Sequence, residues 1–153
     1  MRIGFALPFL PCDEVRRCTA PSHFKLPNSR HCLDFYLLIG TPVCAIEDGV
    51  VIERESHYNT GGHSRRWYNR ANFIIIRHDD RRESAYVHLA WRSVIIAVGE
   101  RVARGQVIAQ SGMTGYANYP HLHFGLFDAD GKNIPATFAE PLPPKVSWKR
   151  YTH

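Results

Sequence analysis

The sequence predicts a mainly β protein, an antiparallel barrel-sandwich built on a duplicated motif and carrying long loops. Three observations support this. Short apolar or β-branched runs recur between Gly, Pro and Asp residues: HCLDFYLL, TPVCAI, GVVIER, NFIIIRH, SAYVHLA, SVIIAVG, QVIAQSG and HLHFGLF. No segment sustains the 3.6-residue period of an amphipathic helix. Two segments also echo each other, GTPVCAIEDGVVI from Gly40 to Ile52 and GERVARGQVI from Gly99 to Ile108. Each gives a glycine turn, a valine three residues later, and a second glycine that opens a strand containing Val or Ile, as expected of a repeated hairpin unit.

In chain order, MRIGFALPFLPC has one Arg and a short apolar run broken by Pro8 and Pro11. No small-residue cleavage site follows, so the segment is read as part of the domain rather than a signal peptide. Cys12, Cys18, Cys32 and Cys44 lack the paired C-x-x-C spacing of a structural zinc site. Cys32 and Cys44 lie in apolar runs and read as small buried hydrophobes, while Cys12 and Cys18 are close enough in sequence to bridge. RESHYNTGGHSRRWYNRA, from Arg54 to Ala71, reads as a long loop, and loops of that length often border a functional cleft. The tail PLPPKVSWKRYTH reads as an extended surface arm. One domain over residues 1–153 is expected, with a core over about 21–138 and the arm over 141–153.

Composition is that of a globular protein, with 44% hydrophobic and 22% charged residues. No apolar run approaches the roughly 20 residues of a membrane span, so no integral membrane segment is expected. A formal charge of +5 favours a polyanionic partner surface, such as nucleic acid, anionic lipid or bacterial wall polymer. The arginines are scattered and no basic helix or stacking motif is evident, so nucleic-acid binding is not expected. A monomer is expected.

The chemistry concentrates in PHLHFGLF. On a strand, His121 and His123 share a face and Leu122 and Phe124 take the other, so two imidazoles converge on one spot. Alone, such a pair is more often an exposed sheet face than a site. Asp34, inside HCLDFYLL, is costly to bury without a positive partner. His88, in SAYVHLA, is a third strand histidine, with Tyr86 expected on its face as a cleft-lining residue. His57, His63 and His153 read as solvated, and His78, ending NFIIIRH, as structural.

With these positions assembled, the chain resembles the lysostaphin-type zinc metallopeptidases that cleave peptidoglycan peptides. The resemblance rests on ordered blocks from about Pro21 to Phe127: PSHFKLPNSRHCLDFYLLIGTPVCAIEDGVV, NFIIIRHDD, YVHLA, VGERVARGQVIAQSGMTG and PHLHF. It implies one Zn2+ per chain in a cleft between loops. The implied ligands are His23 or His31, then Asp34 and His123, with His88 and His121 as unligated catalytic histidines. The implied substrate is the peptide of peptidoglycan, and the implied location secreted, periplasmic or wall-associated. Strand parity disfavours His31, three residues before Asp34 and so on the opposite face if the backbone is extended, and the loop-borne His23 is preferred.

The chain departs from the family pattern at Arg81 and Arg82, where a turn glycine is usual, at Cys32 and Cys44, which replace small residues, and at YLLI, which replaces a more polar strand exit. The rival reading is a non-catalytic wall-binding or hydrolase-activating module of the same fold. A prosthetic-group carrier, suggested by the repeated hairpin, would need a lysine at a hairpin tip, where Glu47-Asp48 and Ala103-Arg104 stand instead.

Overall fold

A computed structural model describes residues 3–11, 16–18 and 27–145. Among these the strands are β1 (Arg16–Cys18), β2 (Leu33–Tyr36), β3 (Pro42–Cys44), β4 (Gly49–Glu55), β5 (Gly61–Gly62), β6 (Phe73–His78), β7 (Glu83–Val87), β8 (Arg101–Val102), β9 (Val107–Gln110), β10 (Gly115–Tyr116), β11 (Leu122–Phe127) and β12 (Asn133–Ile134). A single 3-10 turn, Arg65–Trp67, is the helical element of the described residues. No helix among them is long and apolar enough to cross a membrane.

The main sheet runs β1-β2-β11-β7-β6-β4-β8, with β12 added on β11. All of its pairs are antiparallel. The path is open rather than a closed barrel. The echoing segments explain the remainder, because they pair reciprocally: β4 of the first with β8 of the second, and β3 of the first with β9 of the second. Both turn glycines, Gly40 and Gly99, sit at positive φ of 92° and 90°, a backbone that favours glycine. The valines that follow them, Val43 and Val102, are buried.

The core lies between this sheet and the β3–β9 ribbon. Phe35, Val43, Ile46, Ile74, Ile76, Tyr86, Ile108, Leu122, Phe124 and Leu126 are buried in it. Truncating a ring such as Phe35 or Phe124 to Ala would cost about 3–5 kcal/mol. The opening segment belongs to the domain: Phe5, Leu7 and Phe9 alternate into the core, and Phe9 packs on Phe35 at 4.9 Å. Residues 141–145 of the proline-rich tail run beside β1, where Pro144 accepts the Arg17 N–H at 3.1 Å and Pro143 its Nε–H at 2.9 Å. Cys32 and Cys44 are buried free thiols, and burial, aided by the Asp34 charge, pushes the Cys32 thiol up to about 12. The Cys12 and Cys18 thiols and residues 146–153 lie outside the described residues.

One expectation fails locally. SVIIAVG is extended but not a strand, because its polar groups bond singly to separate partners. The Val94 N–H donates to Ser56 Oγ, the Ile95 N–H to the Ile108 carbonyl, and Arg54 to the Ile96 carbonyl. Its period of two is real, with Val94 and Ile96 buried and Ile95 exposed. The 54–71 segment is the long loop expected, and it borders the cleft through Tyr68 and Ala71. It is tied down by β5, which pairs in parallel with β10.

His78 is structural. Its Nδ1–H donates to the Asp48 carbonyl at 2.8 Å, which leaves Nε2 to accept from Ser84 Oγ at 2.9 Å. In the turn after it, Arg81 has φ 71°, the left-handed region in which a side chain is disfavoured. Arg81→Gly is therefore expected to stabilise the protein by about 0.5–1 kcal/mol, the relieved strain less the added chain entropy, read as a rise in thermal midpoint.

Candidate active site

The site forms where β2, β11 and β7 lie side by side. His123 sits opposite Asp34 on one side and Val87 on the other, so all three share a face of the sheet. Asp34 is buried, its side chain 3% exposed, and a carboxylate there needs a positive partner. His123 Nδ1 lies 3.0 Å from Asp34 Oδ1 and His121 Nε2 lies 3.8 Å from the same oxygen.

The pair Asp34 Oδ1 and His123 Nδ1 fits a zinc ion in chemistry and spacing. One oxygen and one nitrogen donor, each roughly 2.0–2.1 Å from a tetrahedral ion, stand about 3.3 Å apart. Among the described residues no group of three carboxylates, thiols or imidazoles surrounds a common point, so the third ligand is not among them in that arrangement.

The other two histidines are held differently. His121 Nδ1–H donates to the Tyr119 carbonyl at 2.9 Å, and His88 Nδ1–H to the Thr114 carbonyl at 2.7 Å. A carbonyl can only accept, so Nε2 is the unprotonated nitrogen of each neutral ring. The His88 ring centroid is 4.6 Å from that of His121 and 6.1 Å from that of His123. Burial, and then the neighbouring His121 and His123, hold His88 well below the usual imidazole value, so it is neutral near pH 7.

His88 reaches this cluster through its backbone. β7 ends at Val87, and His88 follows with φ 68°. Continued strand would have turned its ring to the face of Tyr86; the left-handed residue brings it to the face of Val87 and His123. Non-glycine residues in this region store strain and often mark functional sites.

These side chains open into a cleft of about 290 Å3. Its far wall comes from the 54–71 loop and from the segment before His121. Tyr68 stacks on Tyr116 at 4.6 Å and 18°, His63 lies against Tyr116 and hydrogen-bonds Asn118, and Tyr119 packs on His121 at 4.8 Å. Tyr36 meets Tyr119 edge-on at 4.8 Å.

Asp34, His88, His121 and His123 thus meet in one cleft. Tyr86 does not join them. It is fully buried on the opposite face, where its hydroxyl bonds the Ile46 N–H at 3.0 Å and Ser84 at 2.9 Å and its ring packs on Phe124. The expectation that it shares the His88 face assumed unbroken strand. His31 is exposed in the turn before β2, its N–H donating to Asn133 Oδ1 at 2.6 Å, and it does not line the cleft. His23 lies outside the described residues. Unforeseen were Tyr68, Tyr116, Asn118 and Tyr119. The spacing in GYANYPHLH put two tyrosines just before the paired histidines, but their partner Tyr68 comes from a loop whose pairing leaves no strand-like pattern.

Comparison with known proteins agrees with this geometry. Residues 28–135 match the family model described as peptidase family M23. Peptidoglycan DD-endopeptidase ShyA of Vibrio cholerae serotype O1 is 34% identical over 114 residues, 71% of this chain and 24% of that protein. Glycyl-glycine endopeptidase ALE-1 of Staphylococcus capitis is 38% identical over 112 residues, 72% of this chain and 27% of that protein. The chain therefore spans about a quarter of the length of these curated relatives. Among solved structures, the catalytic domain of lysostaphin from Staphylococcus simulans aligns with TM-score 0.51 and 28% identity, covering 82% of this chain and 77% of that one. A zinc-containing peptidase from Vibrio cholerae aligns with TM-score 0.56 and 26% identity, covering 93% of this chain and 36% of that one. A mainly antiparallel β fold and a match over most of the chain place it in one group: the protein belongs to peptidase family M23.

Proposed function

We propose that this chain is a zinc-dependent endopeptidase that hydrolyses peptide cross-links of bacterial peptidoglycan. The observation that carries the reading is the arrangement of three histidines in one cleft: His123 turns Nδ1 to a buried carboxylate, while His88 and His121 have Nδ1–H fixed by carbonyls, which makes Nε2 the unprotonated nitrogen of each neutral ring. Asp34 and His123 are the assigned ligands, with His23 preferred over His31 as the third. A zinc ion held there would supply a water acidic enough to attack at neutral pH and a charge that polarises the scissile carbonyl.

His121, its Nδ1–H held by the Tyr119 carbonyl, takes the proton of the attacking water at Nε2. The proton that His121 takes is the one handed to the departing amine, and His88, neutral and 4.6 Å from His121 ring to ring, is placed to relay it at Nε2. The Tyr119 and Thr114 carbonyls keep both rings in the productive tautomer. The substrate lies outside the cytoplasmic membrane, so the chain acts in the periplasm, at the wall or after secretion, and as a monomer.

The test is digestion of purified peptidoglycan with and without a chelator, with the newly exposed amine identified by mass spectrometry. Zinc-restorable release of cross-link fragments is expected. Stoichiometric zinc without any chelator-sensitive cleavage would instead assign the protein as a binding module.

A further inference from the structure

The loop wall of the cleft differs in charge from the rest of the surface. From His57 to Ala71 the chain has three arginines and no carboxylate, and from Ser111 to Phe127 it has no Asp, Glu, Lys or Arg. Asp34 is the one carboxylate lining the cleft among the described residues, and it is engaged with His123. Four other arginines are ion-paired: Arg77, Arg82, Arg101 and Arg104 each lie within 3.0 Å of Glu83, Asp80, Asp79 and Glu47, respectively, while Arg92, away from the cleft, lies 4.5 Å over Trp91. No described carboxylate is in ion-pairing reach of Arg65, Arg66 or Arg70, all three exposed.

This unpaired charge is held in place. The Arg66 guanidinium lies 4.8 Å over the Trp67 ring and that of Arg70 6.0 Å from it. Trp67 packs so tightly on Gly62 that a Cβ there would stand 2.8 Å from its Nε1. Gly62 pairs with Tyr116 in the β5–β10 ladder, and Tyr68, between the two arginines in sequence, stacks on Tyr116. Two guanidinium groups thus stand on an anchored aromatic, adjoining in sequence the cleft-lining Tyr68 and Ala71, and guanidinium is the side chain best suited to pair with a carboxylate.

We propose that Arg66 and Arg70 bind a free carboxylate of the substrate peptide. The enzyme would then prefer cross-links whose residues beside the scissile bond carry carboxylates over neutral linkers such as glycyl-glycine. This rests on the endopeptidase reading, and it chooses between the two kinds of bond named by the curated relatives.

The experiment compares two synthetic cross-link peptides, identical except that the carboxylates flanking the scissile bond are free in one and carboxamides in the other. The free-acid peptide is expected to show a kcat/KM about five- to tenfold higher at low salt, mostly through KM, as two partly exposed ion pairs would give. High salt should erase the difference. Calorimetry on chelator-treated protein should show the same order of binding. In R66Q/R70Q the preference should narrow to about twofold or less, whereas R77Q, in which the changed arginine already has Glu83 as partner, should keep it. Equal cleavage of both peptides by the parent protein, or an equal loss on both in R66Q/R70Q, would overturn the proposal and leave the endopeptidase reading intact. Cleavage of neither peptide would overturn both.

Discussion

His88→Ala and His121→Ala are expected to keep zinc and to lose turnover by about 10²–10⁴-fold, the contribution of a positioned acid or base. His123→Ala and Asp34→Ala should instead lose the metal. The distinction follows from ring orientation: His123 presents Nδ1 to the Asp34 carboxylate, whereas the other two spend Nδ1–H on the Thr114 and Tyr119 carbonyls. His88→Asn separates chemistry from folding, since Asn tolerates the left-handed backbone found there at φ 68°. It should lose as much turnover as His88→Ala with less effect on stability. Metal analysis and wall digestion on the same preparations provide the check. Equal metal loss in all of the histidine variants would show that the roles are misassigned.

Gly115→Ala is expected to destabilise the protein by about 2–4 kcal/mol, combining backbone strain with overpacking. Gly115 has φ 79°, and a Cβ on it would stand 2.5 Å from the Ala71 Cβ and 2.9 Å from its Cα. The site should suffer as well, because the preceding residue, Thr114, gives its carbonyl to His88 and its hydroxyl to the Leu89 carbonyl and the Asn72 N–H. Gly131→Ala is the comparison: φ is 81°, but nothing lies within 4 Å of the new methyl, so only about 1–2 kcal/mol of backbone strain is expected. Thermal unfolding of the two variants separates packing from dihedral cost. Similar losses would mean that the close approach of loop and cleft is unimportant.

The sequence exposed what is periodic and hid what is not. His121 and His123 could be placed on one face by alternation alone, and the reciprocal pairing of β3 with β9 and β4 with β8 was foreshadowed by the echo between Gly40–Ile52 and Gly99–Ile108. The lysostaphin-type resemblance correctly indicated the family. Alternation misled where the backbone leaves the strand: it put Tyr86 on the face of His88, whereas the positive φ of His88 sends the two side chains to opposite faces. It also made SVIIAVG look like a ladder strand, since burial pattern reports extension and not hydrogen-bond partners. The β5–β10 pair had no signal, because Gly-Gly and Gly-Tyr are chosen for close approach rather than β propensity. The aromatic and cationic wall that depends on this pair was therefore invisible as a unit, although each of its residues stood in plain view.

Zinc-edge X-ray absorption of the stoichiometrically loaded protein tests the ligand assignment most directly. The predicted spectrum has a first shell of nitrogen and oxygen at about 2.0–2.1 Å, with the outer-shell scattering of imidazole and without sulfur at about 2.3 Å. His123→Ala should not load. Failure of the parent protein to bind zinc, or a sulfur shell from Cys32 or another thiol, would contradict the assignment of Asp34 and His123 as the core of the metal site.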